Sequence, residues 1–270
     1  MIGIFDSGFG GLTIMKEIVK KLPKYDYMYL GDTLRMPYGG RSQDAIYKFT
    51  EEGVDFLFGN ECELIILACN TASAKALRMI QKEYLVKKFG INSTKRVLGV
   101  IRPVIEKTAE IAENNKVGMI ATQSTVDSMA YDAELKKINN KIRLFKIAAP
   151  LLVPLIEEGW IDRKETISAL KYYLKDLKNK KISTLILGCT HYPVLIEMIK
   201  KIMGNNVLIP HQGRIVADSL VKYLRRHPEI EVKLKKRSRR IFYTTDFPEK
   251  FDRLGSIFFN KKVNSIKVIL

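Results

Sequence analysis

Two near-copies of one segment constrain this chain more than any other feature. They are "LIILACNTASA", from Leu64 to Ala74, and "TLILGCTHYPV", from Thr184 to Val194. Each is a short apolar run that ends in a small residue and a cysteine, followed by hydroxyl and polar side chains. The two cysteines, Cys69 and Cys189, lie 120 positions apart (189 − 69). A run of four or five apolar residues without polar alternation fits a strand covered on both faces, the usual state of a strand in a parallel sheet. An abrupt change to polar residues marks the strand's carboxyl end.

The rest of the chain has the same rhythm. "IGIFDSG" is a strand entering a glycine-rich turn, and "GLTIMKEIVKKL" follows with Leu12, Met15, Ile18, Val19 and Leu22 at helical spacing before Pro23 stops it. "YDYMYLG" is the next strand. Ser42 can cap a helix whose apolar face is Ile46, Phe49, Phe56 and Leu57. After "ELIILA" comes a helix through Leu77, Ile80 and Tyr84. The pattern then restarts with the strands "VLGVIRP", "KVGMIAT", "RLFKIAA" and "TLILGC". Alternating strand and helix predicts the α/β class, with parallel sheets wound by right-handed crossovers. Ligands in this class bind outside the carboxyl ends of strands, where Asp6, Ser7, Cys69, Thr122 and Cys189 all fall. "IGIFDSG" and "VGMIATQS" match in apolar register at an offset of 115 (117 − 2), close to that of the cysteine segments. Two similar α/β domains related by a pseudo-twofold axis would bring both cysteine loops to one cleft.

Composition excludes other classes. A 270-residue chain with 46% hydrophobic and 28% charged residues can bury a large core. Its start lacks a basic leader with an apolar stretch, and no apolar run approaches the roughly 20 residues of a membrane span. A soluble, cytoplasmic protein with no membrane partner is expected. Three cysteines do not make a disulfide framework. Cys62 and Cys69, if joined by strand, stand roughly 23 Å apart, so Cys62 reads as a small buried filler. A metal site of Cys69, Cys189 and His191 lacks the usual ligand spacing; no metal is expected. The formal charge of +17, densest in "KLKKRSRR" from Lys233 to Arg240, invites a nucleic-acid reading. No recognition motif accompanies it, and lysines interleaved with acids describe a solvated surface, so no specific nucleic-acid partner is expected.

A cysteine at a strand-to-helix turn sits near helix N–H groups that favour thiolate. His191 lies two residues past Cys189, and adjacent strand ends can set Asp6 beside Cys69. A cysteine hydrolase has no use for a second, symmetry-related thiol. A dithiol redox enzyme usually draws both sulfurs from one local motif. A cofactor-free racemase needs two bases on opposite faces of one carbon, and pseudo-symmetric halves suit that task best.

On these residues the chain resembles the glutamate racemases of the aspartate/glutamate racemase superfamily. The matching segments are "GIFDSGFGGLT", "GDTLRMPYGGRS", "LACNTASA", "ATQSTVDS", "PLLVPLIEEG", "LGCTHYP" and "FYTT", in family order over nearly the whole chain. The resemblance implies interconversion of L- and D-glutamate without metal or other cofactor, supplying D-glutamate for peptidoglycan. It makes Cys69 and Cys189 the acid/base pair, with Cys69 on the D-glutamate side and Cys189 on the L-glutamate side. Asp6 and His191 would assist them. Ser7, Tyr38, Gly39, Asn70, Thr71, Thr122, Thr125 and Thr190, with Asp6 and His191, would hold the substrate. It further implies a homodimer, and two domains formed by 1–95 plus 210–270 and by 96–209. Some family members answer to a cell-wall precursor through an N-terminal extension; a chain opening at "IGIFDSG" is expected to lack that site.

Plainer readings stand beside these. Asp6 and Ser7 could simply cap the first helix, Tyr38–Gly40 could be an ordinary turn, and His191 could anchor its own turn. Glu157 is open between influencing His191 and ending a solvated helix, and Trp160 reads as a packing residue. Pro210-His211-Gln212-Gly213 departs from the family's acidic or small residue before glycine, which bears on the crossover back to the first domain. Aspartate racemase, with a shorter substrate and the same two-thiol logic, is the rival activity, and a basic nucleic-acid-binding protein is the rival class.

Overall fold

The computed structural model describes all residues, 1–270. Nine strands form two wholly parallel sheets. The first contains β1 (Ile2–Asp6), β2 (Tyr27–Gly31), β3 (Leu64–Leu67), β4 (Arg96–Gly99), β8 (Arg240–Thr244) and β9 (Ser265–Lys267), in the order β4-β3-β1-β2-β8-β9. The second contains β5 (Lys116–Ala121), β6 (Arg143–Ala148) and β7 (Thr184–Gly188), in the order β6-β5-β7. The α/β class read from the sequence is the observed one.

The internal repeat has a structural counterpart. In the first sheet β1 lies between β3 and β2; in the second β5 lies between β7 and β6. In each, the first strand is central and the third, which leads to a cysteine, sits at its side. Central strands buried on both faces explain the unbroken apolar runs: every residue of β1, β2, β3 and β7 is buried. Each fully buried Leu or Ile contributes about 1.5–3 kcal/mol. One apolar core runs from Ile2 and Leu64 through Ile120 and Leu187 to Phe258, so both sheets share it.

The two similar halves differ in size, with six strands against three. "VLGVIRP", placed at the restart of the pattern, instead supplies β4, which pairs with β3 at the edge of the first sheet. That sheet therefore runs past residue 95, where the division was drawn, and β8 and β9 extend its other side. An apolar strand carries no local mark of which sheet it will join, because sheet membership depends on the neighbour it finds. Ser42 caps its helix as expected, accepting from the Ala45 N–H at 3.3 Å. Asp6 and Ser7 do not cap the first helix, Leu12–Lys21, whose N-cap is Gly11 without a side-chain bond.

Candidate active site

Strand register places the chemistry. Phe5 stands level with Leu67, so Asp6 lies beside Ala68 and next to Cys69. In the second sheet Ala121 stands level with Gly188, and Thr122 and Cys189 each follow by one residue. The loops from these four strand ends meet. One small cavity is bounded by Ser7, Tyr38, Gly39, Cys69, Asn70, Thr71, Thr122, Cys189, Thr190 and His191. Glu157 joins this lining, and of the residues read as catalytic or substrate-holding only Asp6 and Thr125 are outside it. Gly8, Met36, Pro37 and Val153 also line it and were missed; Gly8 and Pro37 adjoin residues already singled out and Met36 lies two before Tyr38, while Val153 looks like any apolar helix residue.

The two thiols have different surroundings. Cys69, 5% exposed, is the N-cap of the Asn70–Lys75 helix, with its Sγ accepting from the Ala72 N–H at 3.4 Å and lying 3.5 Å from the Ser7 Oγ. Burial nonetheless pushes its thiol up to about 12, and the Asp6 carboxylate pushes the same way against the Ala72 and Ser7 hydrogen bonds. Cys189, 6% exposed, has no such cap; its Sγ lies 3.9 Å from His191 Nδ1. Burial alone would lower the basicity of His191, but the Cys189 sulfur and the Glu157 carboxylate outweigh it and raise the imidazole to about 10. The raised imidazole thus sets a proton-bearing ring against the Cys189 sulfur.

Glu157 thus stands by His191, its Oε1 3.2 Å from Nε2. The approach is an ion-pair separation out of line for a hydrogen bond, since neither atom has a hydrogen-bond partner. The edges and faces of Phe9 and Phe258, with centroids 5.3 and 5.6 Å away, hold the imidazole in place. Gly10 makes room for it: a Cβ there would fall 2.4 Å from Thr190 Oγ1 and 2.7 Å from His191 Nδ1.

Asp6 is fully buried and accepts from the Gly8 N–H at 2.9 Å and the Thr190 hydroxyl at 3.3 Å. Burial raises its carboxyl above the usual range, against the pull of His191 and those donors. Thr71, Thr122 and Thr125 form a triangle of hydroxyls at 2.9, 3.2 and 2.9 Å that joins the two halves, with Thr125 at the back. Tyr38 lines the cavity with its hydroxyl engaged elsewhere. Its hydroxyl donates to the fully buried Asp32 carboxylate, which also accepts from Arg35 and Thr245, so only the rest of Tyr38 faces the cavity. Gly39 is required by close approach, since a Cβ would lie 2.8 Å from Thr122 Cβ.

Elsewhere, Trp160 is 39% exposed and lies beneath the Arg163 guanidinium rather than in the core. No group of three or more His, Cys, Asp or Glu side chains stands close enough to hold a metal ion. No helix is long and apolar enough to cross a membrane. The basic run from Lys233 is largely engaged within the fold: Lys235 pairs with Glu61, Lys236 with Glu231 and Arg239 with the buried Asp26, while Arg240 donates to backbone carbonyls of Pro23 and Tyr25.

A doubled parallel α/β unit that turns two cysteine-bearing strand ends into one buried cavity is an arrangement suited to two-sided proton transfer. The profile of the Asp/Glu/Hydantoin racemase family matches residues 2–212, and the chain belongs to that family of isomerases. Within it the chain groups with glutamate racemases. It is 39% identical over 257 residues to the one from Sulfurihydrogenibium sp., covering 95% of this chain and 92% of that protein. A glutamate racemase isoform from Bacillus anthracis superposes with a TM-score of 0.90 at 31% identity, over 100% of this chain and 97% of that one. The Francisella tularensis enzyme, solved in complex with D-glutamate, gives 0.85 and 34% over 100% and 97%. An aspartate racemase from Picrophilus torridus is 20% identical with a TM-score of 0.52, a likeness of fold alone.

Proposed function

We propose that the chain interconverts L- and D-glutamate by a two-base mechanism in which Cys69 and Cys189 are the acid/base pair. The observation that carries this reading is the arrival of both thiols in one buried cavity from equivalent positions of a repeated unit. Cys69 takes the α-proton from D-glutamate and Cys189 takes it from L-glutamate, while the opposite thiol delivers a proton to the far face. On the Cys189 side stands His191, its imidazole raised by the Cys189 sulfur and by Glu157. The Cys69 thiol, raised by burial to about 12, needs a cation beside it to ionise, and the substrate's own ammonium group supplies one. Hydroxyls and N–H groups of Ser7, Gly39, Asn70, Thr71, Thr122 and Thr190 hold the carboxylates and amine, with Asp6 and Thr125 steadying them from behind. Exclusion of water from this cavity strengthens every such interaction.

The reaction requires no metal or organic cofactor, and it supplies D-glutamate for peptidoglycan in the cytoplasm. We further propose a homodimer, which light scattering at two concentrations tests, and two domains, with the C-terminal segment completing the first. The activity is tested by incubating the protein in D₂O with each enantiomer of glutamate and of aspartate. Inversion of glutamate with deuterium at the α-carbon is expected; turnover of aspartate alone would overturn the reading.

A further inference from the structure

The Pro210–Gly213 stretch returns the chain to the first sheet and opens the Gln212–Arg226 helix. His211 caps that helix, its Nδ1 accepting from the Arg214 N–H at 3.3 Å. Gly213 lets it press onto the first helix, since a Cβ there would lie 2.9 Å from the Thr13 carbonyl oxygen. Gln212, only 5% exposed, is thereby driven inward to Asn70, which lines the cavity beside Cys69. The two carboxamides pair reciprocally: Gln212 Nε2 donates to Asn70 Oδ1 at 2.8 Å, and Asn70 Nδ2 donates to Gln212 Oε1 at 3.3 Å. From the second half of the molecule the Tyr131 hydroxyl donates to the same Asn70 Oδ1 at 2.7 Å.

These bonds fix which way the Asn70 amide faces. Its oxygen accepts two donors and has no capacity left for a third partner in the cavity. A reciprocal amide pair uses the N–H cis to the carbonyl, so the trans N–H of Asn70 is the group left over. That group can only donate, which matches a carboxylate and opposes an ammonium. We propose that Gln212 is a positioning residue that locks Asn70 as a one-way donor toward a substrate carboxylate. The proposal rests on the racemase reading above.

Gln212→Glu tests it, being equal in size and well suited to a helix N-terminus. A carboxylate at this position cannot donate and sets an oxygen against Asn70 Oδ1 at the closer, 2.8 Å contact, so turning the Asn70 amide over moves that repulsion to the 3.3 Å contact and presents its oxygen to the cavity. Loss of a hydrogen bond to a charged group is expected to raise KM for both glutamate enantiomers about ten- to a hundredfold, with kcat within about threefold because the contact is made before and during reaction alike. In an Asn70→Ala background, Gln212→Glu is expected to add nothing further. Gln212→Met, which removes the donor without reversing the amide, is expected to raise KM less and serves if the first variant folds poorly. An unchanged KM, or an equal KM loss in the Asn70→Ala background, overturns the proposal. Nuclear Overhauser effects from the Asn70 amide protons to the Tyr131 ring give a readout independent of turnover: weak in the native chain and strong in Gln212→Glu if Gln212 sets the orientation. Unchanged intensities overturn it. A native chain that inverts neither amino acid removes the functional reading while leaving this orientation test intact.

Discussion

Glu157→Gln isolates one charge in the site. It keeps size and shape but removes the carboxylate 3.2 Å from His191 Nε2. An opposite charge at such a distance moves a pKa by about one to three pH units. The substitution should therefore lower the pH at which His191 gives up its proton from about 10 to about 7–9. The chain has three histidines, so the imidazole Cε1 proton can be followed by NMR against only two others. The sign for activity follows from the role of the cation. If the imidazolium supports charge on Cys189, kcat for L-glutamate should hold at pH 6.5 and fall on the alkaline side one to three pH units earlier than in the native chain. Stability should follow too. The folded-state value lies above the ordinary 6.5, so the stabilisation is whole below about 6.5 and is lost as pH rises through about 10. In the variant the same loss should be complete by about 7–9, visible as an earlier decline in Tm. An alkaline limb and a His191 titration that stay in place would refute the assignment of Glu157 as the charge that holds His191 protonated.

Two further substitutions probe the packing around the site. Tyr38→Phe removes a donor to the buried Asp32 carboxylate but nothing that faces the cavity, so chemical denaturation should show a loss of about 1.5–3 kcal/mol with kcat within threefold; a large activity loss at unchanged stability would contradict this. Gly10→Ala drives a methyl toward Thr190 and His191, and a displacement approaching 1 Å should cost about a hundredfold in kcat/KM; near-native activity would show that the wall can yield.

The strands were legible because being buried on both faces leaves unbroken apolar runs, and the site was legible because chemistry in a parallel sheet gathers where those runs end. Ten of the residues read in this way line one cavity. What stayed hidden depends on contacts between distant segments. Arg96–Gly99 carries no mark that it pairs with β3 rather than opening the second sheet. The direction of the Tyr38 hydroxyl depends on Asp32 and, through it, on Thr245 from the far end of the chain. Glu157 was open between two roles because the ion pair it makes spans 34 positions (191 − 157) and two separate elements. The basic run read as a solvated surface, and its pairing with Asp26, Glu61 and Glu231 depends on segments far away in the chain.

The two sulfurs offer the sharpest test of the mechanism. In two-base inversion each approaches the same α-carbon from an opposite side, at about 3–3.5 Å from the reacting atom. With substrate bound they should stand roughly 7 Å apart, far beyond the S–S bond length of about 2 Å. Cys69→Ser and Cys189→Ser should each abolish racemisation, since a hydroxyl is a far weaker acid than a thiol. Each variant still keeps one thiol, and that thiol can remove a proton from its own face and return a deuteron from solvent to the same face. Cys69→Ser, retaining Cys189, should wash deuterium into L-glutamate with retention and leave D-glutamate untouched; Cys189→Ser should do the reverse. The surroundings predict unequal rates. Cys189 keeps its cationic His191 neighbour, whereas Cys69 sits beside Asp6 with its thiol near 12, so exchange should be faster in Cys69→Ser at neutral pH. Raising the pH should narrow the gap, because Cys69 gains thiolate while His191 loses its charge on approaching about 10. Full racemase activity in both variants, or exchange of the same enantiomer by both, would defeat the two-thiol mechanism.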